Sequence, residues 1–169
     1  MSSNDWMPGC PLTAVQQRAF LYQQIRLFFA KKGVLEVETP VLSSHANSDT
    51  QIDVFQTQSI KTASKQAFLR TSPEFFHKRL LASGSGDIFE IAKVFRLGEA
   101  SAVHNPEFTM LEWYRLGFDL RAMMAEVAAL ISVLFESFEW PQLPVRHVSY
   151  AELFRQYVGG SVFKSSLMK

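Results

Sequence analysis

Apolar positions recur along the chain at two spacings, one near 3.6 residues and one of two, and the switches between them mark out the elements. Leu21, Ile25, Phe28 and Phe29 repeat at helical spacing. Thr13 ahead of them offers an N-cap oxygen and Gly33 after them a left-handed stop, which predicts a helix between the two. VLEVETP then alternates Leu35, Val37 and Thr39 against Val34, Glu36 and Glu38, as a half-buried strand ended by Pro40 would. The small polar residues Ser43–Thr50 read as a loop. Ile52–Phe55 and Phe68–Arg70 read as short strands on either side of a polar stretch. Ser72 is placed to cap a helix with Pro73 at its first position, and Phe76, Leu80 and Leu81 give that helix an apolar side before Gly84.

Two longer alternating runs follow, Asp87–Arg96 and Glu107–Arg115. The ten residues between them are too many for a tight hairpin turn, so these are antiparallel strands joined by a working loop. From Asp119 onward, Leu120, Met123, Met124, Val127, Leu130, Ile131, Leu134 and Phe138 form a long apolar helix, which Trp140-Pro141 ends. That Met and Leu stripe is a core face. Ser149 and Glu152 have capping-box spacing for a short helix through Tyr157, stopped by Gly159-Gly160. An arm over residues 1–12, one domain over 13–158 and a tail or cut end over 159–169 complete the organisation.

Composition narrows the function classes. Seventeen basic residues against sixteen acidic ones leave +1, so no global excess is present to hold a nucleic-acid backbone. The single Cys10 forms neither an internal disulfide nor a Cys-x-x-Cys metal half-site, which fits a reducing cytoplasm. The four histidines at 45, 77, 104 and 147 lack metal-site spacing, so no protein-held zinc is expected. No leader and no run of ~18 apolar residues argues for export or membrane insertion.

The chemistry gathers on the two long strands. Alternation sends Phe108, Met110, Glu112 and Tyr114 to one face of the second, and Thr109, Leu111, Trp113 and Arg115 to the other. On the first strand Glu90, Ala92, Val94 and Arg96 share a face; if it is the same one, a guanidinium lies near an aromatic plate. A carboxylate in mid-strand, Glu112, needs a cation. Arg96 or Arg115 across the strands would supply it, and so would a ligand; the residues alone leave both open. Phe108 is either core or a platform for a flat ring, and His104 either solvated or a ligand contact.

FRLGEASAVHNPEFTMLEWY, Phe95–Tyr114, closely resembles motif 2 of the class II aminoacyl-tRNA synthetases. The form is that of lysyl-tRNA synthetases and of the short elongation factor P lysine ligases of the same family. GVLEVETPVLS resembles motif 1 (about residues 24–43), and LRTSPEFFHKRLLASGSGDIFEIAKVFR resembles the lysine-binding segment that leads into motif 2 (about 95–115). The resemblance implies an α+β fold, an antiparallel sheet flanked by helices and incomplete at its C-terminal end, with a homodimer formed through the motif 1 helix and strand. It implies ATP with Mg²⁺, and catalysis by Arg96 at the α-phosphate. Leu97, Gly98, Glu99, His104 and Asn105 would hold the nucleotide from the loop, and Phe108 would stack on adenine. Ser72, Pro73 and Glu74 would frame the amino group of a lysine-like substrate, whose side-chain ammonium would be received by Glu112 and Tyr114. Where the family usually has Arg-Asn-Glu-Glu, this chain has Arg96-Leu97-Gly98-Glu99, so one of two carboxylates remains and a weaker grip on ATP is implied.

Only about twenty residues precede motif 1, whereas an anticodon-binding barrel takes ~100. With the near-neutral charge and the LEWYR ending, this favours a ligase that activates lysine or (R)-β-lysine as the adenylate and passes it to elongation factor P. The alternatives are aminoacylation of tRNA, the less favoured acceptor, and a non-catalytic dimerisation or amino-acid-binding module. Motif 3, glycine-rich and carrying a second ATP-binding arginine, is not among the 169 residues, so the chain by itself is expected to be inactive.

Overall fold

The computed structural model describes residues 7–58 and 65–159. Helix α1 (Leu12–Lys31) leads into β1 (Leu35–Glu36), β2 (Leu42–Ser43), β3 (Gln56–Gln58) and β4 (Gln66–Leu69). Helix α2 (Glu74–Ala82) precedes the long pair β5 (Ile88–Phe95) and β6 (Glu107–Tyr114), followed by α3 (Leu120–Ser137) and α4 (Tyr150–Tyr157). The fold is α+β as expected. The strands form two three-stranded sheets, β1-β5-β6 and β2-β4-β3, and the first is mixed, because β1 runs parallel to β5. No helix among the described residues is long and apolar enough to cross a membrane.

Period two on β5 and β6 separates the two faces of the first sheet. Phe89, Ile91, Leu111 and Trp113 join Ile25, Phe28, Phe29, Val34 and Leu130 in a core made with α1 and α3. Phe29 is fully buried and stacks on Phe89 with ring centroids 4.5 Å apart, a contact whose side-chain burial is worth about 2–3 kcal/mol. Gly33, at φ +69°, ends α1 as expected: its N–H reaches Ala30 O and that of Val34 reaches Phe29 O, the paired bonds of a glycine stop. The even residues Glu90, Ala92, Val94, Phe108, Met110 and Glu112 lie on the opposite face, towards α2 and the second sheet.

Several expectations are corrected. Thr13 does not cap α1; Pro11 holds that position without a side-chain bond. The run 34–39 gives only two strand residues, because Leu35 and Glu36 alone pair with Ile88 and Phe89; Val34 and Thr39 are buried while Leu35 is exposed. Asp53 makes a lone bridge to Leu97, and the strand expected at 52–55 instead forms over the exposed, polar Gln56–Gln58. An edge strand needs ladder bonds, not apolar side chains, and β4 provides them. Pro73 rather than Ser72 is the N-cap of α2, although the Ser72 hydroxyl still does the capping work by accepting from the Glu74 N–H at 3.0 Å. On α3 the buried side runs through Glu126 and Leu130, leaving Leu120, Val127 and Ile131 exposed. The Ser149–Glu152 capping box forms as expected, and Asp119, from which the long helix was expected to run, is the N-cap of α3, its side chain accepting from the Ala122 N–H at 2.8 Å. The tail beyond Gly159 lies outside the described residues.

Candidate active site

The start of α2, Arg96 just past β5 and the even residues Met110 and Glu112 of β6 border a cleft of about 940 Å³. Ser72, Glu74, Arg96 and Glu112 line it, together with Arg70, Thr71 and the loop around His45–Asp49. The register sets Glu90 directly opposite Glu112 and Val94 opposite Phe108, so the even residues of the two strands do share one face.

Glu112 is held by neutral donors. The Tyr114 hydroxyl donates to its Oε1 at 2.8 Å and the Ser72 hydroxyl to its Oε2 at 3.0 Å, and His77 Nδ1 lies 3.9 Å from Oε1. Burial, and then the Glu112 carboxylate beside it, hold the Tyr114 phenol well above its ordinary range, so it stays an O–H donor. Neither arginine considered for Glu112 pairs with it. Arg115 projects to the other face and meets Asp87 at 3.3 Å and Glu126 at 3.4 Å. Arg96 turns to Glu99 at 3.3 Å, with its guanidinium 5.2 Å from the centre of the Phe108 ring. Glu112 therefore presents a carboxylate to the cleft with no guanidinium on it among the described residues.

Beneath it is a buried polar cluster. Glu90, 3% exposed, takes Arg70 at 2.8 Å, His77 Nε2 at 2.9 Å and the Thr39 hydroxyl at 2.7 Å. Burial by itself would raise the Glu90 carboxyl; the bonds from His77 and Thr39 and the Arg70 charge outweigh it and bring the carboxyl down to about 2. Arg70 is locked by bonds to Lys93 O, Thr39 O and Thr39 Oγ1. The sequence placed Glu90 on this face but did not join it to Arg70, His77 or Thr39. The signal that could have found it is parity: once Ile88 is aligned with Tyr114, Glu90 must oppose Glu112. Two like charges so placed require cations between or behind them.

The remaining predicted site residues divide. Pro73 is buried at the start of α2, and Glu74 turns outward to Lys78 at 2.5 Å. The loop Leu97–Pro106 is pinned at its base by the bond from Arg96 N–H to Pro106 O and by that from Leu97 N–H to Asp53 O. Gly98 has φ +88°, with nothing within 4 Å of where a Cβ would stand, so the backbone conformation calls for glycine and open space lies over it. His104 is exposed and bonded to Ser101. Asn105 and Phe108 border a second hollow of about 590 Å³ beside Arg18 and Thr109. Four of the expected residues thus line one cleft, Tyr114 and Phe108 contact its members, and His104 and Asn105 lie off it.

Residues 12–163 match the family described as tRNA synthetases class II (D, K and N). Among curated relatives, the elongation factor P (R)-beta-lysine ligase of Mannheimia succiniciproducens is 45% identical over 157 residues, which is 91% of this chain and 47% of the relative. Its namesakes from Vibrio cholerae and Pseudoalteromonas translucida are 43% and 42% identical, over 94% and 99% of this chain and 48% and 51% of their own lengths. The chain spans about half the length of the curated relatives it matches.

Proposed function

Because this chain belongs to the class II tRNA synthetases of the D, K and N type, we propose that the protein it forms activates lysine or (R)-β-lysine with ATP and passes the acyl group, by way of the adenylate, to a lysine side chain of elongation factor P. The observation that carries the reading is the Glu112 carboxylate, open to the cleft and met, among the described residues, by the hydroxyls of Ser72 and Tyr114 and, at longer range, by His77. A ligand ammonium completes such a site, since a carboxylate of this kind is stabilised most by a cation. The names of the relatives point the same way.

Arg96 presents a fork of N–H donors at the cleft, which suits the α-phosphate of ATP and stabilises charge developing there as the substrate carboxylate attacks. Phe108, already against that guanidinium, offers a ring face for adenine, and the open space over Gly98 leaves room for phosphates beside the backbone. Glu99 is the loop carboxylate assigned to the nucleotide, released from Arg96 when phosphate takes its place. Leu97, His104 and Asn105 belong to the loop that folds over it, and Ser72, Pro73 and Glu74 frame the substrate amino group. These residues chiefly align and stabilise, because attack at the α-phosphate needs positioning more than a protein acid or base. Among the described residues no three or more His, Cys, Asp or Glu side chains gather as metal ligands. Mg²⁺ would be carried by the ATP phosphates, whose charge it would neutralise.

A homodimer through α1 and β1 is part of the proposal, supported by the exposed Leu12, Val15, Leu27 and Leu35. A cytoplasmic setting fits a free, exposed Cys10 and a translation factor as acceptor. The test is ATP–pyrophosphate exchange by the complete protein with lysine or β-lysine, followed by transfer of labelled amino acid offered both elongation factor P and tRNA. Label on the factor supports the reading. Label on tRNA alone would replace it with a tRNA enzyme, and silence in both steps with a binding module.

A further inference from the structure

Thr71 is 5% exposed and stands between two residues whose side chains are engaged elsewhere: Arg70, bound to Glu90, and Ser72, bound to Glu112. Its own polar groups meet a third region. The Thr71 carbonyl accepts from Arg96 Nε at 3.4 Å, and the Thr71 hydroxyl accepts from the side-chain amide of Asn47 at 3.0 Å. The same amide nitrogen donates to Ile52 O at 3.4 Å. Because a carbonyl can only accept, that contact fixes which end of the half-buried Asn47 amide faces Thr71. One residue further on, Asp53 O accepts the Leu97 N–H at 3.0 Å, where the two residues form a lone bridge. The loop over 47–53 therefore closes on itself through Asn47 and is tied on one side to Thr71, ahead of α2, and on the other to the residue after Arg96.

Of the arginines that line the cleft, Arg70 is held by Glu90, Arg79 stands 6.0 Å from the centre of the Phe76 ring on its own helix, and Arg96 meets Thr71. The Arg96 guanidinium has its Nε edge on a neutral carbonyl and its Nη1 on the Glu99 carboxylate. We propose that Asn47 is a positioning residue for Arg96: by holding Thr71 it fixes the carbonyl against which the Nε edge rests while the remaining donors of the fork turn to the nucleotide. This rests on the reading of Arg96 as the arginine that meets ATP. A phosphate that takes the guanidinium displaces Glu99, which competes with it in charge, and leaves the neutral Thr71 carbonyl in place as the anchor. The direction of the fork then depends on where Thr71 stands, and so on Asn47. A misplacement of about 1 Å in such a group costs up to about 10²-fold in rate, which gives a loop residue that touches no reacting atom leverage on the reaction.

The test is ATP–pyrophosphate exchange by the complete protein with MgATP and L-lysine, beside calorimetric binding of L-lysine without ATP. Asn47→Ala removes both donated bonds; Thr71→Val keeps the shape and the carbonyl and removes the acceptor. Each should lower kcat/KM for ATP about tenfold while leaving affinity for L-lysine within about twofold, and Thr71→Ser, which keeps the hydroxyl, should recover the wild-type value. Loss of lysine affinity in step with loss of exchange marks a general disturbance of the turn into α2 and overturns the proposal. The same substitutions are then made in Arg96→Lys, which has no Nε–H to rest on the carbonyl. There Asn47→Ala should cost less than about twofold more, since it acts through a group already gone. An undiminished further loss in that background overturns the proposal. Should Asn47→Ala fail to fold, Thr71→Val carries both comparisons. Near-normal exchange by Arg96→Ala overturns the reading of Arg96 and this inference with it, whereas a full loss there with Asn47→Ala and Thr71→Val unaffected overturns the inference alone.

Discussion

Glu90 and Glu112 stand directly opposite each other on neighbouring strands, on the same face, with His77 between them. They serve different ends because their surroundings differ. Glu90 is enclosed by Arg70, Thr39 and His77 and is spent on holding the structure. Glu112, with a side chain 20% exposed, keeps an opening to the cleft.

The first prediction concerns acid stability. The Glu90 carboxyl is held at about 2 against an ordinary 4.5, so it contributes stability that is present above 4.5 and lost as pH falls from 4.5 through 2. The difference corresponds to about 3 kcal/mol. Urea unfolding of Glu90→Gln should show a loss of that order at neutral pH and a flatter decline in acid. An unchanged acid profile would mean that Glu90 is not the group responsible.

Ser72 links fold and site through one hydroxyl, accepting from the Glu74 N–H and donating to Glu112. Ser72→Ala should cost about 1 kcal/mol of stability through the lost cap and also raise the KM for lysine in pyrophosphate exchange. Ser72→Thr should restore both. Recovery of stability without recovery of KM would separate the two roles and count against the substrate role.

Arg96 spans the cleft wall and the Phe108 ring, and its side chain is 23% exposed. Arg96→Ala should reduce exchange by about 10²–10³-fold while leaving thermal unfolding nearly unchanged, and Arg96→Lys should recover little, because a point charge does not reproduce the fork. Near-normal exchange in Arg96→Ala would remove it from catalysis.

Glu126 meets Trp113 Nε1 at 3.1 Å, Arg115 at 3.4 Å and Lys32 at 3.6 Å on the far side of the sheet. Truncating it leaves Arg115, whose side chain is 10% exposed, without one of its two charge partners. Glu126→Ala should cost about 3–5 kcal/mol by denaturant unfolding, whereas the exposed Val127→Ala should cost under about 1 kcal/mol. The reverse order would restore Val127 to the core face.

Elements with a strong local signal were legible without coordinates. The glycine stop of α1, the Ser149 cap and the alternation of β5 and β6 each follow from interactions within a few residues. Alternation also sorted Phe108, Met110, Glu112 and Tyr114 onto one face, and the string Phe95–Tyr114 pointed to the family. What stayed hidden depends on partners distant in the chain. β1 is two residues long because only Leu35 and Glu36 find a ladder on β5, and Glu126 is buried because Lys32, Trp113 and Arg115 converge on it. The partners of Glu112 were likewise beyond local reasoning: strand pattern nominated Arg96 and Arg115, whereas the docking of α2 put Ser72 and His77 there instead. The sequence by itself determined which residues of β5 and of β6 share a face, since side-chain parity is a property of one strand. Only the tertiary structure decided how their charges are balanced, since a low-dielectric cluster is set by whatever the rest of the fold brings within about 4 Å.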